Sequence, residues 1–109
     1  MIEDITCQEV KKRLDQGIEF HFIDVREEWE HTERNIGAKC FPLGELPQNI
    51  DALSHLKSEE VIIHCNTGPR GNRAKKYLIS QGFTNVRNML GGIMEFVELR
   101  ESQEQVAGD

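Results

Sequence analysis

The stretch Val61-Ile62-Ile63-His64-Cys65-Asn66-Thr67-Gly68-Pro69-Arg70-Gly71 decides how the chain is read. It opens as a short apolar run, the pattern of a buried strand. The run stops at Cys65, and two glycines and a proline then punctuate a tight loop. From Asn72 to Gln81 the spacing predicts a helix, with Ala74, Tyr77, Leu78 and Gln81 on one face and Gly82 at the cap position. A lone cysteine is thus expected at the carboxyl end of a strand, just ahead of a helix N-terminus.

That placement has chemical consequences. A helix N-terminus presents free backbone N–H donors and roughly half a positive charge. A tight loop can turn further N–H groups inward as an anion nest, and Arg70 adds a full charge. A thiolate at Cys65 would be stabilised by all three, and the thiolate is the nucleophilic form. The plainer alternative is a structural cysteine closing a core strand; the Gly-Pro-Arg-Gly loop behind it favours the reactive one. His64 is the obvious candidate base, but neighbours on a strand point to opposite faces. It is read as packing or hydrogen-bonding behind the loop, not as a partner in a Cys–His dyad.

Five stretches in order carry a family resemblance. They are Phe22-Ile23-Asp24-Val25-Arg26-Glu27, Gly37-Ala38, Phe41-Pro42-Leu43, the Cys65-to-Gly71 loop, and Gly82-Phe83-Thr84-Asn85-Val86 leading to Gly91-Gly92-Ile93. From about Ile5 to Leu99 the chain resembles single-domain rhodaneses, which are sulfurtransferases. The resemblance implies that Cys65 accepts a sulfane sulfur as a persulfide and passes it on. Gly68 matches that family's loop glycine and Arg70 its basic residue, while Asn66 and Gly71 depart from the residues many relatives carry there. The loop residues Asn66, Thr67, Gly68, Arg70 and Gly71 are expected to hold the substrate, with no cofactor and no metal. The expected partners are a small sulfur donor, thiosulfate or a persulfide, and a thiol or cyanide acceptor, with a protein acceptor as a further class. A monomer or weak homodimer is expected. Asp24 and Arg26 are pocket-shaping candidates, because ligands of open parallel sheets bind beyond the strands' carboxyl ends. The preferred reading of Asp24 is structural: it caps a turn or pairs with an arginine such as Arg26.

The rest of the chain fits an α/β protein. Its 109 residues suggest one domain over 1–100 with a polar tail over 101–109. The net charge of −6 argues against general nucleic-acid binding. No apolar run reaches membrane-spanning length, and Met1-Ile2-Glu3-Asp4 has no basic start or apolar signal core, so a cytoplasmic location is expected. Cys7, Cys40 and Cys65 are odd in number and widely spaced, which suggests neither a disulfide framework nor a zinc site. Thr6-Cys7-Gln8-Glu9 is a capping box for a helix ending near Gln16. Cys7 is read as a bystander on that helix and Cys40 as a core residue. Strands are expected over Ile18–Val25, at Lys39-Cys40-Phe41 and over Thr84–Asn88, and helices over Glu27–Glu33, within Leu43–Leu56 and from Ile93 to Arg100. Trp29 is expected to pack inward, and Glu27, Glu28, Glu30 and Glu33 to form a solvated face. The helix–strand alternation supports the α/β class, and the resemblance implies the specific architecture, a three-layer α/β/α sandwich around a mainly parallel sheet of about five strands.

Two rival functions meet this reading. Cysteine phosphatases share the fold class but use a wider loop, with arginine where Gly71 stands here. Pro69 also lacks an N–H that a phosphate could use. A non-catalytic binding module would be marked by loss of the cysteine, and Cys65 is present. Arg70, Arg73, Lys75 and Lys76 form a basic run without an acid, which could steer a small anion to the loop.

Overall fold

The structure is a computed structural model that describes residues 3–107; Met1, Ile2, Gly108 and Asp109 lie outside the described residues. Four strands, β1 (His21–Asp24), β2 (Lys39–Cys40), β3 (Glu60–His64) and β4 (Asn85–Asn88), form one parallel sheet in the order β2-β1-β3-β4. Five helices accompany them: α1 (Cys7–Asp15), α2 (Glu28–Glu33), α3 (Leu46–Leu53), α4 (Pro69–Ser80) and α5 (Gly92–Ala107).

The central pair β1 and β3 is buried on both faces, as a covered parallel sheet must be. Val61, Ile63 and Cys65 point into one apolar cluster with Leu46, Ala74 and Leu78 from α3 and α4. Ile62 and Phe22 point into the other, with Val10 from α1 and Phe96 and Val97 from α5. Two helical layers therefore enclose the sheet, which is the expected sandwich. Its register sets Asp24 beside His64, so β1 and β3 end level at one edge.

Several details differ from the sequence reading; β1, for one, covers only His21–Asp24 where a strand over Ile18–Val25 is expected. The sheet has four strands, not about five. Ile5 contributes a single bridge to Met89, its N–H and C=O both paired with the end of β4, because Thr6 already caps α1. The fourth helix begins at Pro69, not Asn72, since proline's fixed φ suits the first turn. The last helix runs past Arg100 to Ala107. Trp29 points outward and is 65% exposed. The short α2 turns its Glu30–His31 edge to the domain, which leaves Trp29 on the other side. No helix among the described residues is long and apolar enough to cross a membrane.

Candidate active site

Cys65 leaves β3 where the strand meets the loop, and as a whole residue it is 1% exposed. Two helix N-termini converge there. In the first turn of α5, Ile93 N–H donates to the Cys65 carbonyl at 3.0 Å and Met94 N–H to the Asn66 carbonyl at 3.1 Å. That approach requires Gly92: a Cβ there would stand 2.5 Å from the Asn66 carbonyl carbon and closer still to its oxygen. On the other side Gly68 precedes α4 with φ +134°, a conformation open to glycine and costly for other residues. In it, the Gly68 N–H donates to Cys65 Sγ at 3.0 Å. The loop therefore aims a backbone donor at the sulfur.

His64 sits behind this loop, as expected. It is fully buried, its Nδ1 lies 3.1 Å from the Cys65 carbonyl, and its ring packs on Phe22. Its Nε2 has no hydrogen-bond partner and stands 4.0 Å from Asp24 Oδ2. Burial pushes His64 below its ordinary value, against the pull of the neighbouring Asp24.

Asp24 is fully buried and its oxygens are taken up inside the domain. Arg26 Nε and Nη2 reach them at 3.0 and 2.8 Å, the Arg26 N–H at 3.0 Å, and His31 Nδ1 at 2.9 Å. Burial alone would raise this carboxyl; the Arg26 hydrogen bonds and the nearby His64 outweigh it and hold Asp24 below the usual range. Asp24 thus fills the structural place preferred for it. Arg26 also borders a groove of about 470 Å³ between α2 and α5, beside Trp29, Glu30, Asn66 and Met94.

Arg70 lies at the rim, in the first turn of α4, but its guanidinium is not free. Nη1 and Nη2 grip Glu30 Oε1 and Oε2 at 2.6 and 3.0 Å. This fork raises Arg70 and lowers Glu30 from their ordinary values. Lys75 likewise pairs with Asp4 at 2.6 Å, so two of the four charges in the basic run already meet carboxylates. Asn66 is half-buried at the groove, Thr67 is exposed, and Gly71 is buried under α4. Glu30, His31 and Asn88 were missed from sequence. Glu30 completes a reciprocal capping box with Glu27, a local signal, but nothing local points it at Arg70.

The other two thiols lie in different surroundings. Cys7 is buried with Sγ against the Leu90 and Gly92 carbonyls at 3.3 and 3.6 Å; burial, and then Glu95, push it up to about 12. Cys40 is half-buried and raised by burial and by Asp24. Neither environment favours a thiolate. Among the described residues no group of His, Cys, Asp or Glu could hold a metal ion.

The rhodanese-like domain family matches residues 6–99. The chain belongs to the rhodanese-like family. Curated relatives of this rhodanese-like chain include the tRNA uridine(34) hydroxylase of Yersinia pestis (strain Pestoides F), 34% identical over 89 residues. The match covers 77% of this chain and 24% of that protein, so the chain spans about a quarter of such relatives. Among solved rhodanese-like structures, a Staphylococcus aureus domain protein is 29% identical with a TM-score of 0.77, covering 88% of this chain and 91% of that one. The human single-domain sulfurtransferase TSTD1 is 25% identical with a TM-score of 0.74, covering 87% and 95%.

Proposed function

We propose that this rhodanese-like protein is a sulfurtransferase that carries a sulfane sulfur on Cys65. The observation that supports this best is the Gly68 N–H directed at Cys65 Sγ across a loop closed by the first turns of α4 and α5. Membership of the family and the likeness to a human single-domain sulfurtransferase support it further.

The reaction runs in two halves. The Cys65 thiolate attacks the outer sulfur of the donor. That sulfur's bond to the rest of the donor breaks, and its electron pair leaves with sulfite (from thiosulfate) or a thiolate (from a persulfide). The new persulfide anion replaces the thiolate at the loop, where the Gly68 N–H is already in place to stabilise its charge. An acceptor thiolate or cyanide then attacks the terminal sulfur, and the Cys65 thiolate departs. No step requires a metal or redox cofactor.

The low exposure of Cys65 favours slender donors whose terminal sulfur can enter the loop. Arg70 serves an anionic donor only in so far as that donor competes with Glu30 for the guanidinium. Asn66, Thr67 and Gly71 line or shape the approach, with Asp24 and Arg26 bracing the wall behind. The hydroxylase name belongs to proteins of which this chain matches only a quarter, so it does not set the reaction proposed here. The test is donor-dependent sulfur transfer to cyanide or a thiol by the natural protein and by Cys65→Ser; transfer that survives in the variant would contradict the proposal.

A further inference from the structure

Asn88 ends β4, and no sequence motif marks it. It is 5% exposed. Its backbone is fixed by the segment before α1: the Asn88 N–H donates to Asp4 Oδ1 at 3.0 Å, and its carbonyl accepts from Ile5 N–H at 3.1 Å. Its side chain reaches the other way, and Nδ2 donates to the Gly68 carbonyl at 3.1 Å. The only other donor to that carbonyl among the described residues is the Asn72 N–H at 2.9 Å, which closes the first turn of α4.

The orientation of the carboxamide follows from this bond, because a carbonyl can be met only by the NH₂ end. The opposite end, Oδ1, is then buried without a partner. That end is turned against Gly71 in the first turn of α4. A Cβ at position 71 would stand 2.9 Å from Asn88 Cγ and closer still to Oδ1. The carboxamide occupies the space that a side chain on the first turn of α4 would fill, and position 71 is a glycine to leave that space open.

We propose that Asn88 is the positioning residue of the Cys65 loop. By holding the Gly68 carbonyl it keeps Gly68 at its positive φ, and this keeps the Gly68 N–H on Cys65 Sγ. Gly68 has no Cβ to restrict it, and Pro69 has no N–H to add a further tie. A side-chain bond from the sheet joins the Asn72 N–H in holding that carbonyl, and it is the one that ties the loop to β4. The functional consequence rests on the reading of Cys65 as the sulfur carrier; the positional claim does not.

The test compares the natural chain, Asn88→Ala, Gly71→Ser and the double variant. Amide exchange is read residue by residue by NMR, with Ile62 and Ile63 in β3 as internal references. Sulfur loading of Cys65 is read as a one-sulfur mass gain over time. Asn88→Ala is expected to speed Gly68 exchange about tenfold, the effect of one lost hydrogen bond, with no matching change at Ile62 and Ile63. Loading should slow at saturating donor, with the half-saturating donor concentration kept. Gly71→Ser should do the same by displacing the carboxamide. In the double variant the serine meets no carboxamide and should add no further loss. Unchanged Gly68 exchange in the single variants would overturn the proposal, and so would fully additive losses in the double variant. If the natural chain takes up no sulfur, the proposed function fails while the exchange comparison still decides the role of Asn88. If Asn88→Ala does not fold, exchange in Gly71→Ser decides it alone.

Discussion

Cys65 differs from the other two cysteines in what meets its sulfur. Cys65 Sγ receives a backbone N–H, whereas Cys7 Sγ faces carbonyl oxygens that oppose a thiolate, and burial and nearby acids raise Cys40. Cys65→Ser is therefore expected to abolish sulfur transfer, and Cys7→Ser and Cys40→Ser to retain it, in a steady-state assay with a thiosulfate or persulfide donor. His64 carries a separate prediction. Its folded value lies below the ordinary 6.5, so the unfolded chain takes up a proton first as pH falls. Stability contributed by neutral His64 is thus present at higher pH and is lost as pH drops below about 6.5. Asp24 and Glu30, both held low, add a further loss below about pH 4. Thermal unfolding should show the first limb in the natural protein and a weaker one in His64→Gln. Equal pH dependence in the two proteins would place the titration elsewhere.

Elements set what those residues can do. The helix α2 has no fully buried residue, yet it supplies Glu30 to Arg70 and His31 to Asp24. In the proposed reaction Glu30 would compete with an anionic donor for the Arg70 guanidinium that it grips. Arg70→Ala is expected to lower kcat/KM for thiosulfate by roughly tenfold, the scale of one charge-assisted contact, and Glu30→Gln to raise it. Kinetics with thiosulfate in the two variants check the opposed signs; a fall in both would make the pair purely structural. In α4, Leu78 is fully buried between sheet and helices, and Leu78→Ala should cost about 2–5 kcal/mol in denaturant unfolding. These elements were unequally legible in the sequence. The apolar run Val61–Ile63 and the turn residues after Cys65 are local signals, and they placed β3, the loop and α4 to within a few residues. The cap at Thr6 was equally plain, with its hydroxyl accepting from Glu9 N–H at 3.1 Å. In contrast, α2 reads as an acidic surface helix in any local window, because its partners lie 40 residues away in Arg70 and seven in Asp24. Trp29 was misplaced for the same reason: hydrophobicity suggested the core, but the paired edge of the helix decided which side faced in.

At the scale of the molecule, a sheet buried on both faces sets the carboxyl ends of β1 and β3 level, and two helix N-termini close over the loop between them. Helix–strand alternation made the α/β class readable and the family resemblance supplied the three-layer architecture, while the sheet stops at four strands, with Ile5 adding only a bridge to Met89 because the next residue begins a helix cap. Asn88 was unreadable, since its partners Gly68 and Gly71 meet it only when β4 and α4 are packed together. The loop offers the sulfur one backbone donor, from Gly68, and Pro69 supplies no N–H to the peripheral oxygens of a phosphate. The natural protein is expected to hydrolyse an aryl phosphate no faster than background. The most direct measurement is the intact mass of the protein after treatment with a sulfane-sulfur donor and removal of excess reagent, with the modified residue mapped and the acceptor then added. The account predicts the gain of one sulfur on Cys65, absent in Cys65→Ser, and its loss to cyanide or a thiol. A protein that gains no sulfur, or carries it on Cys7 or Cys40, would contradict it.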